Sequence, residues 1–228
     1  HKVMVNSHES IRPTGETRTY PNWIAAEAAR GTEYEAFAGN DPDHQTILPF
    51  TRWVGGPMDY TPGIFQTKMD HYFPGDKRFV QTTLAKQLGL YVTMYMPLMM
   101  AADLPENYQK HLDAFQFIKD VAADWDDTII LAAEPGDYIH TARRAKGTNE
   151  WFVGGITDEN ARQYTVDFSF LPKGVKYEAI VYEDGKDADY INNPQSYNIY
   201  KKVVTNKSKI SMKLVRSGGY AISLKPVK

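Results

Sequence analysis

Four side chains near the amino terminus have the types and spacing for acid–base chemistry: His8, Glu9, Glu27 and Glu33. The first two stand side by side after a short apolar run, Lys2-Val3-Met4-Val5, which reads as a buried strand. The other two follow across a turn-rich loop that contains Arg12, Pro13, Gly15 and Pro21. Carboxylates that converge repel one another, so either their pKa values rise or a hard cation neutralises them. Calcium takes oxygen ligands of this kind. One protonated and one ionised carboxyl make a general acid and a general base. Charged residues directly off the end of an apolar strand are where an α/β barrel puts its chemistry, so residues 6–33 read as an active-site rim.

The alternatives for other residues are plainer. An isolated Glu is ordinarily solvated, and Glu16, Glu35 and Glu106 are read so. His44, His71, His111 and His140 lack metal-ligand spacing and read as structural or exposed. Arg12 and Arg18 are expected to pair with the carboxylates. Asp59 is either a residue of the catalytic face or a turn cap, and the sequence leaves this open.

Composition narrows the class. The chain has 228 residues with 26 Lys+Arg against 28 Asp+Glu, a net charge of −2. Nothing in that balance argues for a nucleic-acid or membrane-surface partner. No apolar run approaches the roughly 18 residues of a membrane span. With no cysteine, a disulfide framework, a thiolate zinc site and a cysteine nucleophile are excluded. Aromatic residues make up 13%, which suits sugar stacking and β-domain cores equally. The amino terminus has no signal-peptide layout and starts almost on a core strand, so the chain is expected to be the carboxy-terminal part of a longer protein.

The elements that must position these residues follow two rhythms. The pattern predicts short helices over residues 23–30, capped by Asn22, and over 47–54, stopped by Gly55-Gly56-Pro57. Residues 66–82 read as a long loop. A strong helix is predicted from about 83 to 96, a buried strand at 98–102, and a helix from about 106 to 122. This is the rhythm of βα units with parallel strands. From Asp124 eight strands are predicted, at 128–133, 138–142, 151–155, 163–170, 175–183, 200–204, 210–215 and 220–226, which means an antiparallel β-sandwich. The expected fold is therefore the C-terminal half of a (β/α)8 TIM barrel, residues 1–123, followed by a sandwich, residues 124–228. Half a barrel has unpaired edges, so the remainder is expected upstream.

The motifs N-S-H-E-S-I-R-P-T-G (6–15), R-T-Y-P-N (18–22), E-A-A-R-G-T-E (27–33), I-L-P-F-T-R (47–52) and G-G-P-M-D-Y-T-P-G (55–63) together resemble glycoside hydrolase family 97. The resemblance implies a three-part protein, an amino-terminal β-sandwich, a catalytic barrel and a carboxy-terminal β-sandwich, of which this chain matches the back half. It implies calcium-dependent hydrolysis of α-glucosides or α-galactosides by an exported, periplasmic enzyme. Inverting α-glucosidases of the family carry Glu after the first-motif His, and retaining members carry Gly, so His8-Glu9 resembles the inverting kind. Carried over, Glu33 matches the general acid and Glu9 a general base that also touches calcium. Glu27 matches a calcium ligand, and His8 a substrate-contacting histidine. Calcium bonding to Glu33 is a further expectation. An inverting pair works at roughly 6.5–9.5 Å, with room for a water between. Two other readings stand beside this one: an α-galactosidase of the same family, and a non-catalytic carbohydrate-binding fragment.

Overall fold

A computed structural model describes residues 2–11 and 14–227. In chain order the elements are β1 (Val5–Ser7), α1 (Glu16–Thr19), β2 (Trp23–Ala26), α2 (His44–Ile47), α3 (Leu84–Thr93), α4 (Pro105–Gln109) and α5 (Leu112–Asp120). Eight strands follow: β3 (Trp125–Glu134), β4 (Tyr138–Ala145), β5 (Trp151–Thr157), β6 (Arg162–Asp167), β7 (Tyr177–Asp184), β8 (Tyr197–Val204), β9 (Lys209–Leu214) and β10 (Gly219–Pro226). Short 3-10 turns fill several of the gaps.

The strands predicted beyond residue 124 are all present. Six form an antiparallel sheet in the order β3-β4-β5-β10-β7-β8, and β6 pairs with β9. The β6–β9 pair covers one face, where Val166, Ile210 and Met212 pack with Val153, Val181 and Ile222. The opposite face carries α3 and α5, with Leu88, Val92 and Phe117 against Phe152, Ile156 and Ala221. Local patterns follow from this layering. In β9 exposed and buried residues alternate, as expected of a strand covered on one side. In β5 every residue is buried, because both of its faces are covered. Thus α3 and α5, which precede residue 124, lie directly on the sheet that follows it.

The amino-terminal part departs from the expected rhythm. Residues 23–30 form no helix. Instead β2 runs parallel to β1 in the register Val5↔Trp23, Asn6↔Ala25 and Ser7↔Ala26. The Ala-rich segment favours helix locally, but strand pairing and burial of Ala25 and Ala26 override that preference. Ala28 then turns away at φ 67°, outside any helix. Asn22 caps nothing and donates its Nδ2 to the Val3 carbonyl at 3.2 Å. The helix expected at 47–54 is α2 and two 3-10 turns, Leu48–Phe50 and Arg52–Gly55. Residues 98–102 form no strand. They pass alongside the 61–63 loop, tied by Ala102 N–H to the Pro62 carbonyl and by the Tyr91 hydroxyl to the Met100 carbonyl. The helix expected at 106–122 breaks at His111 into α4 and α5. Among the described residues the only parallel strands are therefore β1 and β2, fewer than half a barrel requires.

A buried polar cluster anchors α3 to the sheet. The Thr83 hydroxyl accepts from Lys86 N–H at 3.1 Å and donates to Asp184 Oδ1 at 2.7 Å. Asp184 Oδ2 accepts the Val215 and Gly219 N–H groups, each at 3.0 Å. Lys86 Nζ donates to the Pro42 carbonyl at 2.9 Å and to Ser217 Oγ at 3.1 Å. Burial pushes Asp184 up to about 7, and burial pushes Lys86 down to about 7. For a carboxyl whose folded pKa is raised, the folded state holds more protons than the unfolded state between about pH 4 and 7. The share of stability from Asp184 is therefore complete below about pH 4 and is lost as pH rises to about 7. Asp184→Asn keeps the shape without the charge, and is expected to remove a decline on the order of 2–4 kcal/mol across that window. Urea denaturation of both proteins at pH 4.5 and 7 checks this, and parallel pH slopes would refute it.

Candidate active site

Parallel strands end on the same side, so the pairing of β1 with β2 brings the residues after each strand together. His8 and Glu9 leave β1, and Glu27 leaves β2 with its N–H on the Ser7 carbonyl at 2.8 Å. Arg52 fixes the next segment against them. Its guanidinium donates to the carbonyls of Glu27 at 2.8 Å, Ala26 at 2.5 Å and Gly56 at 3.0 Å. Residues 57–61 are thereby laid beside the end of β2, and Asp59 comes to lie against His8.

Asp59 is only 4% exposed. Its Oδ2 meets His8 Nε2 at 2.5 Å and accepts from Asn6 Nδ2 at 2.9 Å. His8 Nδ1 lies 3.8 Å from Glu27 Oε2, which also accepts the Glu9 N–H at 2.9 Å. The hydrogen bond to Asp59 raises the His8 pKa above its ordinary value; partial burial opposes this, and the charges of Asp59, Glu27 and Glu33 add to it. Glu9 itself stands at φ 51°, in the left-handed region that favours glycine.

Glu33 arrives on a 3-10 turn, Thr32–Ala36. A reciprocal clamp holds that turn to the 57–61 segment: Thr32 N–H donates to Thr61 Oγ1 at 2.7 Å, and the Thr32 hydroxyl donates to the Thr61 carbonyl at 2.6 Å. The Thr61 hydroxyl in turn donates to Glu33 Oε2 at 3.3 Å. The carboxylate folds back over Gly31, where a Cβ would stand 2.3 Å from Glu33 Oε2, so only glycine leaves it room.

Three cavities meet at these residues. One of about 280 Å³ is lined by His8, Glu27, Glu33, Asp59 and Thr61. A second of about 480 Å³ is lined by Glu9, Glu27, Arg30, Glu33 and Tyr34. A third of about 460 Å³ is mostly apolar, lined by Ile64, Met69, Tyr72, Phe73 and Leu104 with Glu33 and Thr61 at its edge. Glu33 lines all three.

The sequence-predicted residues thus share one region, with His8 Nδ1 and the Glu9 amide both against Glu27 Oε2. Among the described residues no three His, Asp or Glu side chains converge closely enough to hold a metal ion. Glu27 Oε2 accepts the Glu9 amide N–H. Glu9, Glu27 and Glu33 do not by themselves make a calcium site. Arg12 lies outside the described residues. Asp59, left open by the sequence, proves to be the buried partner of His8; the signal lay in the apolar Met58 and Tyr60 on either side of it, both fully buried. Glu35, expected to be solvated, is buried at 3% exposure, and burial pushes its pKa up to about 7. Its Oε2 accepts the Asn40 N–H at 3.1 Å. His140 is structural as expected: it stacks on Tyr164 at 3.8 Å, and burial pushes its pKa down to about 3.

Comparison with known proteins places this geometry in a family. Residues 124–225 match the family described as "Glycosyl-hydrolase 97 C-terminal, oligomerisation", and residues 1–29 match "Glycoside hydrolase 97". A retaining alpha-galactosidase of Bacteroides thetaiotaomicron is 36% identical over 99% of this chain and 34% of its own length. A probable retaining alpha-galactosidase of Streptomyces bingchenggensis is 33% identical over 97% of this chain and 31% of its own length. A family 97 enzyme from Pseudoalteromonas sp. strain K8, solved in complex with acarbose, is 47% identical with a TM-score of 0.94, covering all of this chain and 35% of that one. A variant of it in complex with panose is 46% identical, also with a TM-score of 0.94, over the same shares of the two chains. The chain spans about a third of the length of these relatives. Both ends of the chain match the same family, and the likeness to its solved members runs the whole length between, so the chain belongs to glycoside hydrolase family 97, as the carboxy-terminal portion of such a protein.

Proposed function

We propose that this chain serves an inverting α-glucosidase, as the part that carries its general acid and one general base. The observation that carries the reading is the position of Glu9, at the end of β1 where a retaining relative is expected to have Gly, in the same region as Glu33. In this reading β1 and β2 are two strands of a (β/α)8 barrel, and the remaining strands belong to a longer polypeptide. Their unpaired edges support that. Identity of 46–47% to enzymes bound to panose and acarbose, both α-glucose-type oligosaccharides, supports a glucoside substrate.

Hydrolysis then needs two proton movements. Glu9 takes a proton from water as the water oxygen bonds to the anomeric carbon, and Glu33 gives its proton to the departing glycosidic oxygen. Because the acid stands beside the leaving oxygen and the base must reach the same sugar, the two cavities that Glu27 and Glu33 both line take the sugar being cleaved, with His8 and Asp59 in one and Glu9 in the other. The mostly apolar third cavity takes the leaving group. Calcium belongs to the proposal for the complete enzyme, with Glu9, Glu27 and Glu33 as part of a ligand set that needs donors from elsewhere. Export to the periplasm is part of the same proposal and rests on the family alone.

The second reading is a retaining α-galactosidase, favoured by the names of the curated relatives at 33–36% identity. Proton NMR of the first sugar released by the complete enzyme separates the two. Maltose giving β-glucose first, with turnover lost in EGTA, is the expected result. An α-anomer released first, from a galactoside, would favour the second reading.

A further inference from the structure

We propose that Asp59 is a substrate-binding residue, whose free carboxylate oxygen accepts a hydrogen bond from a hydroxyl of the sugar in the cavity lined by His8, Glu27, Glu33 and Asp59. The inference rests on the glycosidase reading above and adds to it a residue and a contact. The two oxygens of Asp59 have unequal surroundings. Oδ2 is used twice, by His8 at 2.5 Å and Asn6 at 2.9 Å. Oδ1 is buried and has no hydrogen-bond partner among the described residues. Leaving a buried acceptor unsatisfied costs about 1–3 kcal/mol, more for a charged one, so such an atom calls for a partner. Asp59 is 4% exposed and lines the cavity that His8, Glu27 and Glu33 share.

The chemistry of the partner follows from the chemistry of the atom. An ionised carboxylate accepts and cannot donate, so its partner carries a proton on oxygen or nitrogen or is a cation. In a glycosidase cavity the donor that fits such an acceptor is a sugar hydroxyl. The same carboxylate fixes the His8 ring through Oδ2, so one side chain orients the imidazole and holds the substrate. Asn6 also donates to Oδ2, so both recorded partners of the carboxylate hold the same oxygen and Oδ1 is the one left over.

The experiment compares wild type, Asp59→Asn, Asp59→Ala, His8→Ala and the His8→Ala/Asp59→Ala double variant in the complete enzyme, each confirmed folded by circular dichroism. Substrates are an aryl α-glucoside and its 2-, 3-, 4- and 6-monodeoxy analogues. Expected is a drop in kcat/KM of about 10²–10³-fold for Asp59→Ala, carried largely by KM, with at least about tenfold persisting in the His8→Ala background. One deoxy analogue should be poor for wild type yet lose almost nothing further in the Asp59 variants. Asp59→Asn should lie between wild type and Asp59→Ala, since its amide keeps an acceptor. An Asp59 effect that vanishes without His8, with no deoxy position coupled to it, would overturn the contact and leave only a role in orienting His8. If wild type turns over only the galacto-configured series, that series is used in the same way. A wild type inactive on both series would overturn the glycosidase reading together with this one, whereas turnover without coupling overturns this one alone.

Discussion

Glu33→Gln in the complete enzyme is expected to lower kcat/KM for maltose by about 10²–10⁴-fold, the range for loss of a positioned general acid. The substitution is nearly isosteric. The Thr61 hydroxyl can still donate to the side-chain oxygen, as it does to Glu33 Oε2 at 3.3 Å, and the Thr32–Thr61 clamp is untouched. The fold and the cavities should therefore persist, and the loss should be chemical. That gives the prediction a distinctive signature. A sugar leaving group needs a proton to depart, whereas a dinitrophenolate does not, so the variant should keep most of its activity on a dinitrophenyl glycoside. Near-normal turnover of maltose by Glu33→Gln would remove Glu33 from the acid role. An equal loss on both substrates would point to damaged binding, because an acid acts on the leaving group alone.

How much of this was legible in the sequence depends on whether a residue's role is set locally. The eight later strands were legible because alternation such as that of β9 records a single covered face, and because turn formers such as Pro172-Lys173-Gly174 separate them. That α3 and α5 would lie on the sheet was not legible. Their apolar faces are helical in period whether they cover a barrel or a sandwich. The segment after Asn22 reads as a helix for a related reason: its alanines favour one, and only β1 beside it makes it a strand. Within the site, the carboxylates Glu9, Glu27 and Glu33 could be named from their motifs. Asp59 could not be assigned, because its partner His8 lies 51 residues away. Glu35 has its amide partner Asn40 only five residues on, but no periodic pattern marks that turn as buried.

Gly89→Ala is expected to destabilise the protein, although Gly to Ala within a helix ordinarily stabilises it by up to about 1 kcal/mol. The reason is how closely α3 sits on the sheet. A Cβ at Gly89 would stand 2.9 Å from the Gly155 carbonyl oxygen, 3.0 Å from the Tyr220 carbonyl oxygen and 3.0 Å from Ile156 Cγ2. From the sheet side, a Cβ at Gly154 would meet the Gly89 carbonyl oxygen at 2.7 Å and Val92 Cβ at 2.7 Å. Two of the three neighbours of Gly89 are backbone atoms of β5 and β10, the central strands of the sheet, and cannot rotate away. The helix must lift instead, loosening Leu88 and Val92 in the core. Overpacking of this kind costs about 1–3 kcal/mol and outweighs the propensity gain. A net loss of about 1 kcal/mol corresponds to a melting temperature lower by about 2–4 °C in a chain of this size. The effect should also reach the chemistry. On α3, Gln87 Oε1 accepts the N–H groups of Gly63 at 2.7 Å and Ile64 at 3.2 Å, two and three residues beyond the Thr61 that holds Glu33. A lifted helix therefore loosens the support of the acid, and kcat should fall even at temperatures where the variant is fully folded. Differential scanning calorimetry together with kcat at 20 °C tests both halves. A Gly89→Ala protein that melts at or above the wild-type temperature would show that α3 has slack against the sheet. One that melts lower with unchanged kcat would show that the link from α3 through Gln87 to Glu33 carries no strain.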